Sequence, residues 1–240
     1  MRIAVLGGTG LLGRSISGPL ETRGHEVALH GRSTPQPVDM ATGDGLAQAL
    51  EGANVVLHLA SDPRSPQDVD VAGTRRLVET LRSGHLVYMS IVGVDRHPFP
   101  YYRAKHEAEQ IITDSDVPHT IVRATQFHDF VAFLMSKMCR DRIAIVPRGW
   151  VTQPIDTGEV VDALVEVIET RPAGLQPDLA GPEVLKVDHL ARSYMTARSR
   201  EAPVLQIPVP GKASKAFREG LHTNPERAIG TWTWQQYLEE

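Results

Sequence analysis

Three glycines recur at every third position near the start of the chain. The stretch AVLGGTGLLGRS, Ala4 to Ser15, sets Gly7, Gly10 and Gly13 between a short apolar run, Arg2–Leu6, and a segment from Leu11 to Thr22 with helical apolar spacing at Leu12, Ile16 and Leu20. A strand has no use for glycine inside it and a helix has little, so the backbone itself must come close to something. The first glycine permits a tight turn, the middle one removes a side chain where a pyrophosphate would approach, and the third lets helix pack on strand. The helix N-terminus then offers N–H groups and a partial positive charge to phosphates. The spacing is G-x-x-G-x-x-G rather than G-x-G-x-x-G, but its place after a strand and before a helix points to nucleotide binding. A purely structural glycine turn is the other reading of these residues. Farther along, Ser90, Tyr101 and Lys105 are the side chains placed for chemistry. Tyr101 and Lys105, four apart, share a face of a helix. Ser90 ends a strand-like run 11 residues before Tyr101.

The elements that must hold these residues alternate. Strands are expected at Glu26–His30, Asn54–Leu59, His85–Met89 and His119–Val122. Helices are expected at Leu46–Leu50, Val71–Leu81 and Tyr102–Thr113, and Gly18-Pro19 predicts a kink or an early end of the first helix. Strand–helix alternation gives an α/β fold, a doubly wound parallel sheet with helices on both faces. Ligands bind outside the carboxyl ends of such strands. That rule marks Gly7, His30 to Ser33, Ala60 and Ser61, Ser90, and Arg123 to Phe127.

GGTGLLG, the helix opening DVAGTRRL at Asp70, Ser90 after the fourth strand, YYRAK and TIVRATQF together resemble the short-chain dehydrogenase/reductase superfamily, most closely its atypical NmrA-like and epimerase-like branches. The resemblance covers Met1 to about Phe130. QPIDTGEVVDALVEVIE, DLAGPEVLKVDHLA and TWTWQQYLEE look like the small substrate-side region of the same relatives. It implies a Rossmann-type sheet with a small C-terminal substrate-side lobe, as one domain over residues 1–240, with a core of about 1–150 and a lobe of about 150–240 over the cofactor cleft.

The cofactor follows from the end of the second strand. An NAD-preferring site carries an acid there for the ribose hydroxyls; this chain has His30-Gly31-Arg32-Ser33. Arg32 and Ser33 would instead meet a 2′-phosphate, so NADP is expected and NADPH over NADH. An exposed loop arginine that touches nothing is the alternative. The resemblance puts Asp44 near the adenine amino group; as a helix cap before Leu46 it would serve structure alone. The expected dinucleotide site is Gly7, Thr9, Gly10, Leu11, Leu12 and Gly13, then Arg32, Ser33 and Asp44, then Leu59, Ala60 and Ser61, with Lys105, Ala124 and Thr125.

In the superfamily the tyrosine is the general acid or base, the lysine holds the nicotinamide ribose and lowers the tyrosine pKa, and the serine polarises the carbonyl. Bringing a phenol from about 10 to about 7 needs roughly 4 kcal/mol of selective stabilisation. The chain departs from the pattern in two ways. The Ser90–Tyr101 loop is shorter than in relatives with sugar substrates, and HPFP makes a rigid extended lead-in to Tyr101. The resemblance thus implies a reductase of a small carbonyl or hydroxyl compound. A non-catalytic dinucleotide sensor is the alternative, and a sugar-nucleotide epimerase a third, for which the C-terminal stretch is small.

Of 240 residues, 41% are hydrophobic and 22% charged, with a formal charge of −4. No basic stripe asks for nucleic acid, and no apolar run approaches the roughly 20 residues of a membrane helix. Met1 is followed by a charged residue and a strand-like run, which predicts no secretory signal and a cytoplasmic protein, monomer or homodimer. Cys139, after Met138 in an apolar stretch, is expected as a buried inert thiol. Ten histidines without metal-ligand spacing, and the TDSDVP loop, predict no metal site. His58 is expected near the cofactor edge; His128 and Asp129 either line a substrate pocket or are surface polar residues. Downstream, Arg142–Val146 is expected as a strand, Asp156 and Glu159 as a capping box, Pro177–Leu185 as a strand with turns, Asp188 as the cap of a helix to about Arg198, VLQIPVP as a last strand and Ala213–Glu219 as a short helix. Trp232, Trp234, Tyr237 and Leu238 form a tail that docks on the domain.

Overall fold

The computed structural model describes residues 1–140 and 142–239. In chain order it contains β1 (Arg2–Leu6), α1 (Leu11–Thr22), β2 (Glu26–His30), α2 (Leu46–Leu50), β3 (Val55–His58), a π-helical turn (Gln67–Ala72), α3 (Gly73–Thr80), β4 (His85–Ile91), α4 (Pro100–Thr113) and β5 (His119–Ala124). Then come α5 (His128–Met138), β6 (Cys139–Arg140), β7 (Ile143–Pro147), β8 (Val151–Thr152), α6 (Thr157–Glu169), β9 (Gly174–Leu175), β10 (Leu185–Lys186), α7 (Val187–Thr196), β11 (Val204–Ile207), α8 (Lys212–Glu219) and α9 (Trp234–Glu239).

Six strands form one parallel sheet in the order β2-β1-β3-β4-β5-β9. Ile3 lies opposite Val27 on one side and Val55 on the other, and Val55 lies opposite His85. These strands are apolar almost throughout because helices cover both faces of a parallel sheet. The strand order turns between β1 and β3, which opens a crevice at their carboxyl ends.

The chain forms two compact units that interleave in sequence. The first comprises Met1–Ser90, Pro100–Arg123 and Val161–Pro177; the second comprises Ile91–Phe99, Ala124–Val160 and the residues from Asp178 onward. Residues 161–177 belong to the first unit because β9 pairs with β5, Gly174 opposite Thr120. Leu6, Val56, Leu77, Leu86, Tyr88 and Ile112 centre the first core. The second core gathers Val131, Met135, Val146, Leu190, Tyr194 and Trp234. In the second unit β11, β7 and β6 make a small sheet, and β10 pairs with β8.

Several local expectations are corrected. α1 runs through Pro19 to Thr22, and Thr22 Oγ1 bonds the Gly18 carbonyl at 2.9 Å. The helix expected from Val71 starts earlier, in the π-helical turn at Gln67. The strand expected over Pro177–Leu185 shrinks to Leu185–Lys186 with isolated bridges at Leu179 and Ala180; Pro177 and Pro182 lack the N–H a ladder needs. Asp188 sits inside the first turn of α7, whose cap is Lys186. Asp44 is no cap either: α2 is led by Gly45 at φ 75°. Half of the capping box forms, with the Glu159 amide donating to Asp156 Oδ2 at 3.1 Å, while the Glu159 carboxylate accepts from Thr231 instead. The aromatic tail docks: Trp234 is buried, stacks on Tyr237 and donates to Ser193 Oγ at 2.9 Å.

Candidate active site

The glycine loop divides its work among the three positions. Gly7 has φ +86°, and a Cβ there would meet the Ala60 amide nitrogen at 2.6 Å, so the exit of β1 can lie against the exit of β3 only without a side chain. The Gly7 and Gly8 amides both donate to the His30 carbonyl at 2.9 Å, tying the turn to the end of β2. A Cβ at Gly13 would meet the Gly7 carbonyl at 2.6 Å, so the third glycine sets helix against turn. Gly10 is different. It is exposed, and a Cβ there would approach only the Gly7 carbonyl, at 3.2 Å. Among the described residues no side chain caps α1 and no acid lies in its first turn. The leading N–H groups of Leu11, Leu12 and Gly13 therefore remain for an anion. A pyrophosphate fits this helix start.

Around it, Thr9 is exposed and near Gly31, and Leu11 is 44% exposed. Arg32 and Ser33 are exposed on the turn after β2. Asp44 accepts a hydrogen bond from Thr42 Oγ1 at 2.8 Å. Leu59 and Ala60 follow β3 half-buried, the Leu59 amide bonded to Leu6. Ala124 and Thr125 lie in the second compact unit, where the Thr125 amide donates to Leu179 and Thr125 Oγ1 accepts from Gly181.

The proton-handling residues meet partners that the sequence did not single out. Tyr101, in the first turn of α4, places its hydroxyl 2.8 Å from Ser61 Oγ, and Ser61 donates to Asp70 Oδ1 at 2.6 Å. The Asp62 amide also reaches Asp70, at 3.2 Å. One helical turn on from Tyr101, Lys105 is 4% exposed; its Nζ donates to the Met89 carbonyl at 2.7 Å, lies 3.8 Å from Asp70 Oδ1 and sits over the Tyr88 ring. The serine touching Tyr101 is thus Ser61, not Ser90. Ser90 is buried on β4, and its Oγ has no hydrogen-bond partner among the described residues.

Electrostatics also depart from expectation. Tyr101 is raised rather than lowered. Burial first, and the Asp70 carboxylate next, push the phenol up to about 12. Burial lowers Lys105 itself, opposed by Asp70 and Glu109. His58 is fully buried beside Thr74, and burial with the Lys105 charge holds it near 3, a neutral ring. His128 does not line an open surface: it is buried in the second unit, stacked 5.2 Å from Tyr237. Asp129 accepts from Thr157 and Tyr237. Cys139 is buried, and burial raises its thiol.

The profile of the NAD(P)H-binding family matches residues 7–132, just over half of the chain. The chain belongs to this family. That family, and the fold, are consistent with the resemblance of the sequence to the atypical short-chain dehydrogenase/reductases. Over 138 residues it is 31% identical to the (4-alkanoyl-5-oxo-2,5-dihydrofuran-3-yl)methyl phosphate reductase of Streptomyces griseus, a match spanning 52% of this chain and 48% of that one. The chain spans about half or less of the length of the curated relatives it matches. Its fold resembles that of a nucleoside-diphosphate-sugar epimerase from Staphylococcus aureus, with a TM-score of 0.81 at 17% identity over 100% of both chains. It also resembles an NADPH-dependent quinone oxidoreductase of Escherichia coli, with a TM-score of 0.82 at 14% identity over 100% and 99% of the chains. In this family member no described helix is long and apolar enough to cross a membrane.

Asp70 is the residue the sequence reading missed. Its signal was an acid inside DVAGTRRL, four and seven residues ahead of Thr74 and Leu77 on the same buried face. A buried carboxylate needs a partner, and Lys105 and Ser61 are those partners.

Proposed function

We propose that this protein is an NADPH-dependent reductase of a small carbonyl compound, with Tyr101 as proton donor and Ser90 as the hydroxyl that steadies the carbonyl oxygen. The observation that carries this is a half-buried phenol one helical turn from a buried lysine, at the side of the sheet where the strands end. NADPH, when bound, supplies the hydride. The chain's own residues do the rest. The start of α1 would hold the pyrophosphate, and Gly10 would leave room for it. Arg32 and Ser33 would meet the 2′-phosphate, and Leu59, Ala60 and Ser61 would border the dinucleotide where β3 ends. Tyr101 holds a proton at its hydroxyl for delivery to the substrate oxygen, and the buried Ser90 hydroxyl is available to donate to the same oxygen. The names of the Streptomyces reductase and the Escherichia coli quinone oxidoreductase support reduction of an oxygen-bearing small molecule. The reading carries with it a cytoplasmic protein, monomer or homodimer, with one cofactor cleft.

One observation favours a second reading, a dinucleotide-binding protein without turnover: the Tyr101 hydroxyl and the Lys105 amine are both occupied by protein partners. The experiment that separates the two is NADPH oxidation over a panel of aldehydes, ketones, quinones and enones. Tyr101→Phe should keep NADPH binding and lose about 10²–10⁴-fold in turnover. Tight NADPH binding with no turned-over substrate makes the second reading the better one. Two binding variants test the cofactor assignment. Gly10→Val should abolish dinucleotide binding with the fold intact, since the residue is exposed. Arg32→Ala should cost NADPH roughly tenfold to a hundredfold in affinity and leave NADH unchanged.

A further inference from the structure

Asp70 is wholly buried, and it is held from three directions: by the Ser61 hydroxyl, by the Asp62 amide and by the Lys105 ammonium. A serine hydroxyl has one hydrogen to give. A carboxylate at 2.6 Å takes it, because an ionised acid can only accept. Ser61 Oγ then has only lone pairs to turn toward the Tyr101 hydroxyl 2.8 Å away, so Tyr101 must be the donor in that contact. The charged and titratable groups facing Tyr101 are Asp70 from the π-helical turn, Asp62 from the loop before it and Tyr88 from β4, while Lys105, on the same helix as Tyr101, faces Asp70.

We infer that Asp70 is a positioning residue that, through Ser61, fixes the direction of the Tyr101 hydroxyl and points its hydrogen inward while the site rests. The catalytic meaning of this relay rests on the reading of Tyr101 as the proton donor. It adds that the proton must be turned away from Ser61 before it can reach a substrate. The carboxylate does not touch the reacting atoms; it acts by settling who donates to whom along Tyr101, Ser61 and Asp70. An asparagine at this position would not do the same, because its amide can donate to Ser61 and reverse the chain of bonds.

The test reads the Tyr101 hydroxyl directly, in the protein without nucleotide. The tyrosine Fermi doublet in ultraviolet resonance Raman spectra distinguishes a donating from an accepting phenol, and subtracting the Tyr101→Phe spectrum isolates this residue. Wild type should show a donor; an acceptor signature overturns the inference. Ser61→Ala should lose the donor signature and Ser61→Thr should restore it, whereas an unchanged signature in Ser61→Ala overturns the relay. Asp70→Asn should weaken the donor signature, and an unchanged one removes Asp70 from its role. If Asp70→Asn does not fold, Asp70→Glu decides. It keeps a charge beside Lys105 and moves the carboxylate off Ser61, so the donor signature should fall, and its persistence overturns the inference. None of these spectra depends on turnover. Activity surviving in Tyr101→Phe would therefore end the proton-donor reading and leave the relay standing, while a failed Raman result with activity lost in Tyr101→Phe would end the relay alone.

Discussion

Each compact unit holds a buried titratable cluster, and two of these clusters are held by opposite means. In the first, Asp70 and Lys105 are both ionisable and both hidden, and each is held by the other and by Ser61 and the Met89 carbonyl. In the second, His97 and His222 are hidden among rings. His97 lies 4.4 Å from Phe217, His222 lies 4.9 Å from it, and Trp150 stacks on the same ring at 4.3 Å. Burial drives both histidines down to about 4, so they rest as neutral aromatic bodies. His128 follows the same pattern against Tyr237 and Trp234. Paired charges depend on one another, and removing one leaves the other stranded. Neutral rings depend on shape and fail when acid charges them.

That contrast can be broken at its strongest point first. Lys105→Met leaves Asp70 buried without its cation, and breaking a buried pair by removing one partner costs about 3–5 kcal/mol. Chemical denaturation should record that loss; wild-type stability would mean that the pair does not hold the first unit together. Trp234→Ala, in the second unit, removes a fully buried ring and the bond to Ser193, and about 3 kcal/mol should go through packing alone.

Acid should bring out the histidines. Their folded pKa values are below the unfolded value of 6.5, so between 6.5 and about 4 the unfolded chain binds more protons. Their contribution is complete above 6.5 and is lost as pH falls toward 4, at about 1.4 kcal/mol for each pH unit by which a ring is lowered, a few kcal/mol for the pair. Denaturation midpoints across that range measure it, and a flat profile would show these rings to be accessible to protons at little cost. The smallest effect belongs to His97→Phe at neutral pH. Keeping a ring in the cluster should cost less than about 1.5 kcal/mol, and the acid loss should shrink by about half against wild type.

The sheet was legible because its signals are local. Apolar runs such as Arg2–Leu6 and Val55–His58, with glycines after the first, need only their own neighbours to be read. The start of α1 was legible for the same reason. The segment Pro177–Leu185 was not, since its path follows from a distant contact: a Cβ at Gly181 would sit 1.6 Å from the Pro154 carbonyl. The pairing of Tyr101 with Lys105 on one helix could be read by counting, because it lies within one element. The partner of Tyr101 could not, because Ser61 and Asp70 reach it from a loop and a π-helical turn some 30 to 40 positions earlier. Ser90 stands next to last in β4, where the fold encloses it. The rise of the Tyr101 pKa follows burial first and that same unseen neighbour, the Asp70 carboxylate, second.

The π-helical turn Gln67–Ala72 makes the site sensitive to chain length as well as to side-chain chemistry. Each π turn holds more residues than an α turn, and a helix rotates about 100° for every residue. Thr74 and Leu77 anchor α3 in the first core from just beyond the turn. Deleting Ala72 while those anchors stay put would swing Asp70 about a quarter-turn around the helix axis, away from Ser61 and Lys105, although every side chain that does chemistry would still be present. An alignment that tolerated a one-residue gap there would score such a protein as a close cousin with an intact site. Its Lys105 would nevertheless face an empty quarter, and the register of one turn would separate the two lineages.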